Sequence, residues 1–380
     1  MLSGVASAQG LFDVNPNEIE SESSPLRYTA GLNFGHDDNI NPTSGAAEED
    51  STYVSGNLGV NLVVRGPQTS WDVSAVVGAT HYLDTTSSDD TVYNARIAFN
   101  LNHRINERLR YVTRNFFNYG LDLGSFYGPI TARQLEEYIY FSTDHAVGYR
   151  WTDRLATYTG VTYSTLDYDG SSNDVDSLGL YNTFRYTVSP QTVLTATYRY
   201  SNSEFGTGSD RSSQYATVGF EQKLTSSSYV TVSVGAQFAS GTSPFGQVSY
   251  VNNINNQLKA RLYARYSQED VDTIFPIGGG LSERYTDKTS LRIGAALDYA
   301  LSPQVTLTVG GNYTQSDFEG APTLLDGDVD LFNAYASVAY KVNEAFSVSA
   351  SVNHTTSDAS NIPNRDYDRN RYQIGVNYSF

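Results

Sequence analysis

Tyr372-Gln373-Ile374-Gly375-Val376-Asn377-Tyr378-Ser379-Phe380 is the stretch that decides the fold. Every second residue, counted back from Phe380, is apolar or aromatic. The residues between them are polar or glycine. A period of two with the two classes fully separated describes a strand with one greasy and one wet face. A lone strand of that kind needs partners, so the rest of the chain has to supply them.

It does so from Leu26 onward. Alternating stretches run over Leu26–His36, Tyr53–Val64, Trp71–Tyr82, Val92–His103, Leu109–Tyr119, Tyr138–Tyr149, Leu155–Leu166, Leu178–Val188 and Val193–Ser201. They continue over Tyr215–Leu224, Tyr229–Phe238, a weaker Gly246–Asn252, Leu258–Ser267, Thr289–Tyr299, Val305–Tyr313, Phe332–Lys341, Phe346–His354 and Arg369–Phe380. The connections alternate in kind. One set is short, such as Ile105–Arg108, Trp151–Arg154, Ser302–Gln304 and Asn343–Ala345. The other is mostly long and acidic, such as Asp37–Ser51, Leu121–Leu135, Asp270–Arg284 and Asp317–Val329. A hairpin unit also repeats. Tyr186 precedes Ser189-Pro190-Gln191, Tyr299 precedes Ser302-Pro303-Gln304, and Tyr340 precedes Asn343-Glu344-Ala345, each with a further aromatic or histidine about one strand later.

These features predict an all-β chain: a single transmembrane antiparallel up-and-down β-barrel of about eighteen strands over residues 26–380, with short turns on one rim and long loops on the other. Ten to twelve residues rising ~3.3 Å each and tilted ~40° span about 25–30 Å, the height of an outer-membrane apolar band. A sandwich needs Greek-key crossings and a solenoid a coil-length repeat, and neither pattern is present.

Composition narrows the function. The chain has no cysteine, which excludes disulfides and thiolate metal sites. A net charge of −17 argues against nucleic acid. Thirty tyrosines against two tryptophans and one methionine suit a β-rich protein with water–lipid boundaries, because the ring is apolar and the hydroxyl stays wet. Mean hydropathy of −0.39 is no obstacle, since half of a barrel's positions face water. Residues 1–8 end in Ala6-Ser7-Ala8, a small-x-small cleavage pattern. They read as a signal-peptide remnant lacking its charged n-region and most of its apolar h-region. Residues 9–25 then form a short acidic periplasmic segment.

Parity assigns the two faces. Val54, Leu58, Leu62, Ile97, Phe99, Ile293, Val348 and Val352 point to lipid. The interleaved set is rich in bases: Arg27, Arg96, Arg110, Arg114, Arg185, Arg199, Lys259, Arg261, Arg265, Arg292, Arg369 and Arg371. A base on the lipid face near the midplane costs roughly 2–4 kcal/mol, so any barrel keeps its bases inside. That explains the inwardness but not the scarcity of inward acids, of which Glu221 and Asp298 are the clearest. The expectation is a positively lined lumen under an acidic rim, or a network in which the arginines pair with tyrosine hydroxyls and the few acids. An eighteen-stranded ring is roughly 35 Å across, too wide for side chains to fill. Two loop segments with misplaced apolar residues are candidates to narrow it: Phe126, Tyr127 and Pro129, and Ile274, Phe275 and Pro276.

Catalysis finds no constellation, so the chain reads as a non-enzyme without a cofactor. Four of the five histidines, His81, His103, His145 and His354, have outward parity and read as boundary residues. The Asp/Asn-rich loops lack calcium-loop spacing. No lipid-facing patch stands out, which leaves the oligomeric state open.

The last strand resembles the C-terminal signal of bacterial outer-membrane barrels. That resemblance implies that Tyr372, Ile374, Val376, Tyr378 and Phe380 are read by the barrel-assembly machinery. The first strand runs Tyr28-Thr-Ala-Gly-Leu-Asn-Phe-Gly35-His-Asp-Asp-Asn-Ile40, similar to the start of a β-barrel porin group found beside exopolysaccharide-assembly genes. It implies a Gram-negative outer-membrane channel with both termini periplasmic and lipid as its surroundings. The leading expectation is passive diffusion of small anionic or polyhydroxylated solutes. The alternatives are a polysaccharide-secretion port, with periplasmic export components as partners, and a structural or adhesive barrel.

Overall fold

The computed structural model describes residues 25–42, 44–45, 48–84, 90–120, 137–169, 174–206, 209–239, 241–278, 281–320, 326–362 and 366–380; over 269–278, 281–286 and at 320 it describes the backbone. Residues 1–24, and with them the expected signal remnant and nearly all of the N-terminal segment, lie outside the described residues. The strands are β1 (Leu26–Asp37), β2 (Ser51–Arg65), β3 (Thr69–Tyr82), β4 (Thr91–Arg104), β5 (Leu109–Gly120), β6 (Tyr138–Arg150), β7 (Leu155–Tyr168), β8 (Val175–Ser189) and β9 (Thr192–Phe205). They continue with β10 (Asp210–Lys223), β11 (Ser228–Phe238), β12 (Thr242–Asn253), β13 (Leu258–Gly278), β14 (Leu281–Ala300), β15 (Val305–Gly320), β16 (Gly327–Lys341), β17 (Phe346–Ser360) and β18 (Tyr367–Ser379). Each pairs antiparallel with its sequence neighbours, and β1 pairs with β18, so the 18-stranded sheet is a closed ring without edges.

The ring closes on the residues that announced it. Leu32 faces Val376 and Phe34 faces Ile374 across the seam. The Tyr28 amide donates to the Phe380 carbonyl at 2.8 Å, and the Phe380 amide returns the bond at 3.0 Å. Their rings stack with centroids 5.5 Å apart.

One turn design recurs along the short-turn rim. Asn106, Asn255 and Asn343 each accept from the two amides that follow, at 2.8–2.9 Å, as in Arg108 and Leu109 donating to Asn106. Thr152 and Ser302 do the same through a hydroxyl. Asx and Ser/Thr turns satisfy amides that a two-strand reversal leaves bare. The residue before each acceptor (Ile105, Trp151, Ile254, Leu301, Val342) is apolar and exposed, which sets a greasy collar at this rim. Above it the outer face is an apolar band, with Leu58, Val77, Ile97, Val218, Val234, Ile293 and Ile374 exposed. Among the described residues, acids reappear on the outer face of the strands only at the long-loop end, where Asp317 faces Asp328 and Asp330 faces Asp358.

One expected loop is mostly strand. The segment 270–284 continues β13 and β14 as a long hairpin, with Ile274 opposite Arg284, Phe275 opposite Glu283 and Pro276 opposite Ser282. Val271, Thr273, Ile274 and Phe275 carry strand-forming side chains, and the acids among them hid that preference from the reading. The hairpin rises beyond β12, whose pairing with β13 stops at Tyr266. The side chains of Ile274, Phe275 and Pro276, and all of Phe126, Tyr127 and Pro129, are outside the described residues.

Candidate functional site

The inner wall is the candidate site. Register places Arg27, Arg96, Arg110, Arg114, Arg185, Arg199, Lys259, Arg261, Arg265, Arg292, Arg369 and Arg371 on the face opposite the lipid band. Among residues with described side chains, the acids that share this face are Asp37, Asp72, Asp144, Glu221 and Asp298.

The acids are spoken for. Arg185 and Glu221 form a two-pronged pair at 2.7 and 2.6 Å, with Arg185 only 1% exposed. Arg261 donates to Asp298 at 2.8 Å, and Thr308 donates to the other oxygen of that carboxylate at 3.1 Å. Asp144 accepts from the Tyr181 hydroxyl at 2.8 Å, and Asp72 from the Asn100 amide at 2.9 Å. Planar guanidinium and carboxylate groups match in geometry, which makes such forks the strong pairs of a protein interior. Other guanidinium groups rest on aromatic faces: Arg96 over Phe116 at 5.1 Å, Arg199 over Tyr181 at 5.4 Å and Arg265 over Phe245 at 5.6 Å. A ring face attracts the cation without neutralising it. These positions keep the positive charge of the wall.

The tyrosines of the wall lie on glycines. Gly35 faces Tyr53, Gly160 faces Tyr181, Gly294 faces Tyr263 and Gly310 faces Tyr335 across adjacent strands. A β-carbon at Gly35 or Gly294 would overlap the ring opposite it. The missing side chain lets each ring lie flat along the sheet, which covers the glycine backbone and lines the wall with phenol.

The His36-Asp37-Asp38-Asn39-Ile40 segment is the clasp of the seam. Asp37 is fully buried and accepts from Arg369 at 3.0 and 2.7 Å, while Arg371 Nε lies 3.1 Å away. On the outer face Asp38 accepts from the Asn370 amide and carboxamide at 2.6 and 2.7 Å. Asn39 donates to the Asp368 carbonyl at 2.8 Å. The motif thus grips β18 from both faces. Sequence reading found the motif but not its partner.

Sequence reading also missed Ile362. Asn361 turns the chain with a φ of 59° and donates to the Asp326 carbonyl at 3.0 Å. Ile362 then packs, 2% exposed, against Phe318 and Val329 of the inner wall, over Gly327, where a β-carbon would strike it. The available sign was an isoleucine in the otherwise polar run Ser360-Asn361-Ile362-Pro363-Asn364. All five histidines have outward parity, and His145 sits within the band rather than at a rim. No group of three or more His, Asp or Glu residues able to hold a metal occurs among the described residues.

Residues 287–380, from within β14 to the end of β18, match the family model described as "Putative beta-barrel porin 2". No curated protein matches the chain. Among solved structures, the outer membrane protein opdK from Pseudomonas aeruginosa is similar at 12% identity, with 93% of this chain and 99% of that one covered and a TM-score of 0.47. Acinetobacter baumannii OccAB4 is similar at 11% identity over 96% and 100%, with a TM-score of 0.46. A BenF-like porin from Pseudomonas fluorescens is similar at 12% over 94% and 99%, with a TM-score of 0.45. Closed ring, apolar outer band and family match agree on an outer-membrane β-barrel.

Proposed function

We propose that this barrel is a porin-like channel through which small anionic or polyhydroxylated solutes diffuse passively. The observation that carries the reading is the inner wall: Asp37, Glu221 and Asp298 of its acids are ion-paired, while Arg199 and Arg265 rest on aromatic faces, which do not neutralise them. A low-dielectric wall of one sign focuses the field along the lumen and raises the local concentration of anions. Tyrosine rings and hydroxyls beside these cations offer stacking faces and hydrogen-bond partners to hydroxyl-rich solutes. In this reading the short-turn rim and both termini face the periplasm, the acidic long-loop rim faces outward, and the strand ending in Phe380 addresses the chain to the barrel-assembly machinery.

Liposome swelling tests it. Proteoliposomes should admit gluconate at least about twofold faster than glucose, as a positive lumen requires. Equal or slower gluconate entry would contradict the charge preference. Entry of neither solute until a glycan or periplasmic partner is added would instead favour a secretion port.

A further inference from the structure

The outer face of β5–β8 breaks the apolar band. Thr113 and Asn115 on β5, Thr143 and His145 on β6, Thr159 on β7 and Asn182 on β8 all share the lipid-facing parity. Register sets them side by side: Thr113 faces His145, Asn115 faces Thr143, and Thr159 faces Asn182. His145 lies four residues inside Tyr149, and each residue climbs roughly 2.5 Å along the barrel axis, so it sits about 10 Å inside the girdle. Elsewhere on the ring the band carries residues such as Leu58, Val77, Val218, Val234 and Ile374, all exposed. The polar groups form two clusters, Thr113, Asn115, Thr143 and His145 on β5–β6 and Thr159 and Asn182 on β7–β8, flanked by Val147, Val161 and Leu180. Lipid is the wrong neighbour for their hydroxyl, carboxamide and imidazole groups.

The patch satisfies itself in part. Thr143 donates to Asn115 at 2.6 Å, Asn115 donates to Thr113 at 3.1 Å, and Asn182 donates to Thr159 at 2.6 Å. His145 is 2.8 Å from the Thr143 hydroxyl through Nε2 and 2.7 Å from the Tyr111 hydroxyl through Nδ1. Asn115 and Asn182 each use one of two carboxamide hydrogens in these bonds. The other needs an acceptor that acyl chains do not offer.

We infer that this face of β5–β8 is where a second copy of the chain packs. Three observations select that occupant. The patch holds no Asp, Glu, Lys or Arg, so no fixed charge in it asks for a charged partner. Its groups are donors and acceptors alike, so the surface complements itself, as a contact between identical faces requires. Copies in one membrane share an orientation and a depth, so a patch buried within the band meets its own kind at its own height. The inference stands apart from the lumen reading and survives or fails without it.

The absence of native cysteine makes the test direct. Thr159→Cys sits in the patch, and Val309→Cys sits at a matching height on β15, at the opposite wall of the ring. Mild oxidation of outer membranes carrying each full-length variant should give a species of twice the chain mass for T159C, at least tenfold more than for V309C. Equal cross-linking of the two, none for T159C, or linkage of T159C to a different polypeptide would overturn the inference. The double variant Asn115→Leu with Asn182→Leu keeps the face apolar, and its heat-modifiable migration reports whether it has folded. Its detergent-solubilised mass should fall to that of one chain. A native and a variant protein of the same mass would count against the inference as well.

Discussion

Asp37 has no solvent to return to: it is fully buried between Arg369, 332 positions away in the chain, and Arg371. Removing one partner of such a pair leaves the others charged and bare, which costs roughly 3–5 kcal/mol. Asp37→Asn should therefore lower the unfolding free energy obtained from urea titration of the barrel in vesicles by an amount in that range, and unchanged unfolding would show that the clasp does not hold the seam. The tyrosines make a second case. Gly294→Val places two methyl groups where the Tyr263 ring lies, so the ring must stand off the sheet into the lumen. A smaller single-channel conductance with a folded barrel is the expected result; an unchanged conductance would mean that the ring does not border the pore. The sequence showed that Asp37 belonged to a motif and that Tyr53 opened a strand. It could not show either partner, because a clasp that joins the first strand to the last leaves no local period to read.

At the scale of elements, a strand is legible when its two faces differ and its neighbours lend it register. That is why the short turns and the outward parity of Leu58, Ile97 and Ile293 were readable directly. The β13–β14 hairpin was hidden, since Asp270 and Asp272 interrupt the apolar set although the backbone continues in ladder geometry. The polar patch was hidden for a different reason. A single threonine or asparagine on one strand is unremarked, and only strand pairing sets Asn115 beside Thr143 and Thr159 beside Asn182 on the same outer face. The turns carry their own prediction. Asn255→Ala and Asn343→Ala each remove a carboxamide that accepts from two amides, worth about 1 kcal/mol per bond. Those amides are exposed and water replaces part of the loss, so each variant should slow folding into vesicles more than it lowers the unfolding midpoint. Equal folding rates would show that the capped turns do not organise the hairpins.

The whole molecule is a ring of 18 strands with its apolar band outside and its bases inside, in a chain whose net charge is −17. On the proposed reading the acids collect at the long-loop rim and the wall is cationic, which gives the lumen and the entrance opposite signs. The paired arginines brace the wall, and charge reversal at Arg261 would strand Asp298 rather than report on the pore. Arg199 and Arg265, which rest on aromatic rings, are the cleaner reporters. The double reversal Arg199→Glu with Arg265→Glu should cut the chloride-to-potassium permeability ratio by about twofold or more, because it replaces two positive charges of the wall with negative ones. The most direct measurement is the reversal potential of the unmodified barrel in a planar bilayer under a potassium chloride gradient. The account predicts a steady conductance whose reversal potential lies on the chloride side of zero; a cation-selective reversal potential, or no conductance at all, would contradict it.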